Sequence, residues 1–157
     1  GWQISLNHAC AEVVDGCATT RGEHGTWMTP DMRSAYVQLH ATGYAQSLES
    51  WLDGRLAGGI YGVRLDRVFF GESMFSATTN GSKVALSGLI AQCREQGIGL
   101  LDAQVESPHL QQFGLELLSR GRFTTLVKEL AAAARPMTNW KHPPKAARFL
   151  AELRTAG

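Results

Sequence analysis

Between Gln46 and Phe75 the chain carries three strand-like segments whose connections are too short for anything but antiparallel hairpins. The first, Gln46 to Leu52, ends at an Asp53-Gly54 pair. The second, Leu56 to Arg64, ends at Leu65-Asp66, and Arg67 to Phe75 completes a meander. The middle segment contains Gly58, Gly59 and Gly62. Three glycines weaken a plain sheet, so they predict a bulge or a place where a ligand or another backbone comes close.

Helical patterns surround this meander. Asn7 is placed to cap a helix running to about Val14 and ended by Asp15-Gly16. Thr29 suits the N-cap of a second, Pro30 its first position and Gly43 its end, with Met32, Ala35, Tyr36 and Leu39 as the apolar stripe. A third is expected from about Ser82 to Gln96, with Leu86, Leu89, Ile90 and Cys93 on one face and Gly97 as its stop. A strand over Gly99 to Val105 follows, then a helical turn at His109 to Gln112. A last helix holds Phe123, Leu126, Val127 and Leu130 on one face. Helices around a mostly antiparallel sheet make the class α+β, or mixed α/β.

With 157 residues, 44% of them apolar and 18% charged, the chain suits one compact domain. Arg135 to Pro144 holds three prolines, which predicts that residues 135–157 form an extended tail laid across that domain and anchored by Trp140. No apolar run approaches the ~18 residues of a membrane span. The start, Gly1-Trp2-Gln3-Ile4, lacks the basic-then-apolar layout of a secretory signal, and a cytoplasmic location is the expectation. Cys10, Cys17 and Cys93 are odd in number and lack metal-type spacing, so they read as reduced and buried, and no metal site is expected. A formal net charge of +1 gives no support for strong nucleic-acid binding by this chain alone.

Two strands carry polar groups where apolar ones are usual. The period of two sets Glu72 beside Val68, Phe70 and Met74, a costly setting for a carboxylate that is neither paired nor used. Glu72 either serves a site or lies at a strand end and meets an arginine. The same alternation sets Asp102 and Gln104 on one face, with Leu101, Ala103 and Val105 on the other. They supply a fixed charge or base and a donor–acceptor pair, or else the solvated face of an edge strand.

Arg94-Glu95-Gln96-Gly97-Ile98-Gly99 matches a pyrophosphate-binding pattern of acyl-coenzyme A N-acetyltransferases. There the glycines precede a helix whose free N–H groups bind phosphate. Here they follow one, where carbonyls face outward and the dipole has the wrong sign. Cys93 sits on an apolar stripe, a poor setting for a nucleophile. His109 follows Asp102 closely enough to touch it, but a lone histidine there also reads as structural.

Taken together, several collinear stretches resemble the leucyl/phenylalanyl-tRNA–protein transferases. They include Gly16-Cys17-Ala18, Gly25-Thr26-Trp27, Gly58-Gly59-Ile60-Tyr61-Gly62-Val63 and Gly71-Glu72-Ser73-Met74-Phe75-Ser76. Asn80-Gly81-Ser82-Lys83 and Asp102-Ala103-Gln104 continue the series, which runs from about Asn7 to Leu130. The resemblance implies a GNAT-like acyltransferase fold. It also implies transfer of Leu, Phe or Met from aminoacyl-tRNA to the α-amino group of proteins beginning with Arg or Lys, which marks them for degradation. Aminoacyl-tRNA is then a co-substrate, and no metal or coenzyme is implied.

On that resemblance Asp102 and Gln104 match the catalytic strand, Asp102 orienting the amine and Gln104 passing the proton or steadying the oxyanion. Glu72 would pair with the basic acceptor side chain. Phe69, Met74, Leu86 and Leu101 match positions near the aminoacyl side-chain pocket, and such a pocket separates similar side chains poorly, since one methylene is worth only ~1–3 kcal/mol. Trp27 and Tyr36 are candidates to hold the terminal adenosine of tRNA, or to pack in the core. Asn80 and Ser82 either contact the nucleotide or cap a helix.

The family carries an N-terminal domain and a basic segment ahead of the region where this chain starts, whereas the first Lys or Arg here is Arg21. Weak tRNA binding is the expectation. Gly81 stands where the family usually has Ala and Ala103 where it often has Cys. Gln111-Gln112-Phe113-Gly114-Leu115 replaces a Ser-Leu-Gly-Ala pattern. Two other functions remain: an acyl-coenzyme A-dependent N-acyltransferase, and a noncatalytic module that binds basic N-termini through Glu72 and Asp102.

Overall fold

The structure is a computed structural model that describes residues 1–19, 28–132 and 140. Trp27 and all of the 135–157 tail except Trp140 lie outside the described residues.

The expected meander forms β2 (Ala45–Leu52), β3 (Arg55–Leu65) and β4 (Val68–Ser76). Asp53 and Gly54 both take left-handed backbone angles, φ +51° and +77°, as a tight two-residue hairpin requires. An additional strand, β1 (Trp2–Leu6), pairs antiparallel with β2 from Trp2 opposite Leu52 to Leu6 opposite Leu48. Its period-two alternation, Trp-Gln-Ile-Ser-Leu, is a strand signal that reading the start only for a leader passed over. At the other edge β5 (Leu100–Asp102) pairs parallel with Val68, Phe69 and Phe70 of β4. The sheet order is β1-β2-β3-β4-β5.

Among the described residues, five helices flank the sheet. The first, α1, spans Cys10–Thr19 instead of starting at Asn7 and stopping at Asp15-Gly16. Asn7 turns the chain at φ +54°, and its side-chain oxygen accepts the Ser47 N–H at 2.9 Å. Gly16 stays helical because the Phe75 ring lies against it, where a Cβ would sit 2.7 Å away. By contrast α2 (Pro30–Ala41) begins as expected, with the Thr29 hydroxyl accepting the Met32 N–H. The next, α3 (Gly81–Glu95), closes with Gly97 at φ +66°; the Gly97 and Ile98 N–H groups return to the Arg94 and Cys93 carbonyls. The glycine motif is therefore a helix stop that leads into β5. A short α4 (Pro108–Gln111) and α5 (Arg120–Leu130) complete the described fold.

Adjacent residues of a strand face opposite sides, which separates two apolar layers. Leu48, Ile60 and Phe69 pack under α3 with Val84, Leu86 and Leu89. Tyr61 and Phe75 pack on the other side with Val13, Val14 and Cys17 of α1. Phe69 and Phe75 are six residues apart yet lie in opposite layers, while Met74 packs in the layer of Phe69. The switch comes from a bulge. Tyr61 pairs with Ser73 and Gly62 with Gly71, so Glu72 is an extra residue in β4. Gly62 belongs to this distortion, since a Cβ there would meet the Phe70 carbonyl oxygen at 2.2 Å. At Gly58 a Cβ would lie 2.5 Å from the backbone of Gly81, where α3 starts. Both expectations for the middle strand, a bulge and a close backbone approach, are met.

Cys10, Cys17 and Cys93 are buried thiols outside any disulfide among the described residues. Burial pushes the Cys10 thiol up to about 11 and the Cys93 thiol up to about 12. Trp140 is also buried, stacked on Phe69 with ring centroids 5.5 Å apart and crossed by the Arg64 guanidinium at 5.4 Å.

Candidate active site

After Phe70 and Asp102 the parallel pair β4–β5 ends and the two strands part. The expected strand to Val105 stops here because Gln104 takes φ +61°, an uncommon conformation for a residue with a side chain. Asp102 holds it there, its Oδ1 accepting the Gln104 N–H at 2.9 Å across a two-residue turn. The left-handed turn sends the Gln104 side chain across to β4. Its Nε2 donates to the Gly71 carbonyl at 2.9 Å and to Glu72 Oε1 at 3.3 Å. Asp102 and Gln104 are thus joined by a turn instead of by strand alternation.

Glu72 meets no arginine among the described residues. Its Oε2 accepts the Tyr36 hydroxyl of α2 at 2.9 Å. Burial, and then the Glu72 carboxylate, push the Tyr36 phenol up to about 12, so it remains a donor throughout the neutral range. The Tyr36 ring packs edge-on against Tyr61, with centroids 4.9 Å apart. A bulge in β4, a turn after β5 and one helix therefore bring Tyr36, Glu72, Gln104 and Asp102 into one hydrogen-bonded chain.

This chain stands at the head of an apolar cavity of about 640 Å³. Met74, Leu86 and Leu101 line it, with Ile60, Ile90, Leu110 and Phe113, and Glu72 and Asp102 belong to its wall. Phe69 is not among the lining residues; it lies 1% exposed beneath Trp140. Asn80 and Ser82 lie past the far end of β4. Asn80 is exposed at φ +69° and makes no side-chain cap, and the Ser82 N–H donates to the Ser76 hydroxyl at 2.7 Å. His109 packs edge-on against Phe113 and makes no hydrogen bond through Nε2 among the described residues.

Sequence reasoning passed over Ile60, Ile90, Leu110 and Phe113, whose core-type side chains carry no mark of a site. It also passed over Glu49, which is 0% exposed in β2. Its carboxylate accepts from the Ser5 and Ser47 hydroxyls at 2.5 and 2.6 Å and from the His8 and Ala9 N–H groups ahead of α1. The sequence signal was a glutamate between Leu48 and Trp51, the one charged residue of its strand.

Chemically, the cluster combines two carboxylates with one oriented amide. Because Gln104 Nε2 is committed to Gly71 and Glu72, Oε1 is the end of the amide left to accept. Such an arrangement attracts a cationic amine and offers it acceptors beside an apolar cavity.

Comparison with known proteins agrees with this architecture. Among solved structures, a ribosomal-protein-alanine N-acetyltransferase from Brucella melitensis biovar Abortus 2308 superposes with a TM-score of 0.54 at 14% identity, over 76% of this chain and 93% of that one. A probable acetyltransferase from Staphylococcus epidermidis ATCC 12228 gives 0.54 at 15% identity, over 76% and 86%. The fold is GNAT-like. In sequence, a leucyl/phenylalanyl-tRNA–protein transferase of Xanthomonas euvesicatoria pv. vesicatoria is 44% identical over 157 residues, covering 98% of this chain and 63% of that protein. One of Ralstonia pickettii is 46% identical over 134 residues, covering 84% and 54%. The chain thus spans between about half and two thirds of the length of these relatives. The model of the leucyl/phenylalanyl-tRNA protein transferase family matches residues 1–128, and the chain belongs to that family.

Proposed function

We propose that this domain transfers Leu, Phe or Met from aminoacyl-tRNA to the α-amino group of proteins that begin with Arg or Lys, acting in the cytoplasm and marking its products for degradation. Family membership supports the reaction class. The observation that carries the reading is the Gln104 amide, fixed by Gly71 and Glu72 through Nε2 so that Oε1 is left to accept, with Asp102 in the same turn.

An aminoacyl ester is already activated, so the reaction calls for positioning and proton removal, with aminoacyl-tRNA as co-substrate and no further cofactor. The apolar cavity receives the aminoacyl side chain against Met74, Leu86 and Leu101. Phe69 supports that wall from the core, pairing with Leu101 across β4–β5. Asp102 orients the acceptor ammonium, and Gln104 Oε1 accepts a hydrogen bond from it as one proton leaves to solvent. The amine nitrogen then forms a bond to the ester carbonyl carbon, and the bond from that carbon to the ribose oxygen breaks. The ribose oxygen takes up the second proton that the nitrogen gives up, and a peptide bond remains. Glu72 pairs with the guanidinium or ammonium of the acceptor side chain. Trp27 and the Tyr36 ring hold the terminal adenosine, with Asn80 and Ser82 contacting the nucleotide at the outer end of β4.

Radiolabelled leucine followed from Leu-tRNA onto peptides starting with Arg, Lys, Asp or acetylated Arg tests this. Label should reach the Arg and Lys peptides only. Label on none of them, in a folded sample that coenzyme A protects against heat, would contradict the reading in favour of a coenzyme A-dependent acyltransferase.

A further inference from the structure

Among the described residues four large apolar side chains stand exposed, and three of them, Val105, Leu117 and Leu118, gather at one place. Val105 is 66% exposed and Leu117 is 72% exposed. They border a second chamber of about 620 Å³, with Phe70 and Phe123 in its wall. The chamber shares eight lining residues with the apolar cavity, Asp102, Val105 and Leu118 among them, so the two run together from the end of β5; Leu117, Arg120 and Phe123 line the chamber alone. Isolated apolar side chains on a surface need no explanation, whereas a group of them at the mouth of a cleft marks a contact surface.

Two further observations say what chemistry fits. The lining holds three carboxylates, Asp102, Glu106 and Glu116, against the single guanidinium of Arg120. A polyphosphate is repelled by that balance, and a cationic or neutral chain is admitted. Moreover, β5 is the last strand of the sheet, with no strand on its outer side among the described residues. Edge strands present backbone groups along which an extended peptide can lie, at ~3.3 Å per residue.

We propose that this second chamber is the acceptor subsite: it takes the second and third residues of the acceptor polypeptide, extended beside β5, with apolar side chains there packing on Val105, Leu117 and Leu118. The inference rests on the reading that Asp102 and Gln104 hold the reacting amine. An N-terminal amine held at Asp102 puts the rest of its chain next to this chamber, which is continuous with that residue.

The test compares fluorescent peptides of equal length beginning Arg-Leu-Leu, Arg-Ser-Ser and Arg-Asp-Asp, by anisotropy and by leucine transfer, with the full chain. The parent should bind Arg-Leu-Leu about tenfold more tightly than Arg-Ser-Ser. Leu117→Ser, at an exposed position outside the apolar cavity, should erase most of that preference, raising KM for the apolar acceptor while kcat and KM for Leu-tRNA stay fixed. Leu117→Lys should instead improve binding of Arg-Asp-Asp, a gain that misfolding does not mimic. Equal binding of all three peptides by the parent, or a preference untouched by the variants, overturns the subsite; coverage of this face by other parts of a longer chain would give that result. Graded binding without leucine transfer would sink the transferase reading and keep the subsite. Transfer without preference at these positions would do the reverse.

Discussion

At the scale of single residues, the site depends on how two side chains escape ordinary strand geometry. Gln104 is held in a left-handed conformation by the Asp102 carboxylate, and Glu72 is the extra residue of a bulge. Glu72→Gln keeps the size of the side chain and an oxygen for the Tyr36 hydroxyl, and removes the charge. We expect KM for Arg-starting acceptors to rise about tenfold or more with kcat little changed, because a charge-assisted pair with the acceptor is lost. Steady-state kinetics with Arg peptides check this, and an unchanged KM would argue that Glu72 only anchors Tyr36. Glu72 stood out in the sequence among apolar neighbours on its face, and Asp102 and Gln104 as a polar pair on one face of a strand. Their mutual contacts did not. The expected alternation fails at both places, since the bulge and the turn depend on the partner strand and on backbone angles that spacing does not encode.

At the scale of elements, the local signals that succeeded are those with a self-contained cause. The Asp53-Gly54 hairpin, the Thr29 cap with Pro30 and the Gly97 stop each act within a few residues. Those that failed depend on distant partners. The N-terminal end of α1 is held by Glu49 of β2, forty-odd residues away, and Gly16 sits inside the helix because Phe75 leaves no room for a Cβ. Glu49→Ala would leave two hydroxyls and two N–H groups short of an acceptor, at a cost of about 3 kcal/mol or more. Denaturant unfolding reads that cost as a lowered midpoint, and a midpoint equal to the parent's would contradict the assigned role. Gly62→Ala forces the bulge to move away from the Phe70 carbonyl. It should cost about 1–3 kcal/mol, lower Tm and, because Glu72 belongs to the same bulge, weaken acceptor binding as well.

For the whole molecule, two apolar layers separated by one sheet leave the three cysteines without an accessible setting. A thiol reagent should therefore label Cys10, Cys17 and Cys93 only after unfolding. Buried thiols raised from 9.0 to about 11 and about 12 stay protonated in the folded state, while the unfolded chain releases those protons above pH 9. Stability is then full below pH 9 and falls through pH 9–12, by of order 1 kcal/mol per pH unit for each thiol. Denaturant midpoints taken across that range check the sign, and a rising midpoint would contradict the burial. The general architecture, helices around a mostly antiparallel sheet, was legible in the hairpin spacing and the helical stripes. The edge strand β1 and the early end of β5 were not, because β1 shows only five residues of alternation and the end of β5 is set by a side chain closing on its own backbone. No helix among the described residues is long and apolar enough to cross a membrane. Among the described residues the fold sets the Tyr36–Glu72–Gln104–Asp102 cluster at the head of the apolar cavity. The most direct test of that cluster is single-turnover transfer of labelled leucine from Leu-tRNA to an Arg-starting peptide by the parent and by Asp102→Ala. The account predicts transfer by the parent and a loss of at least about 100-fold in the variant, with the variant still folded. Equal rates would show that the reacting amine is held elsewhere.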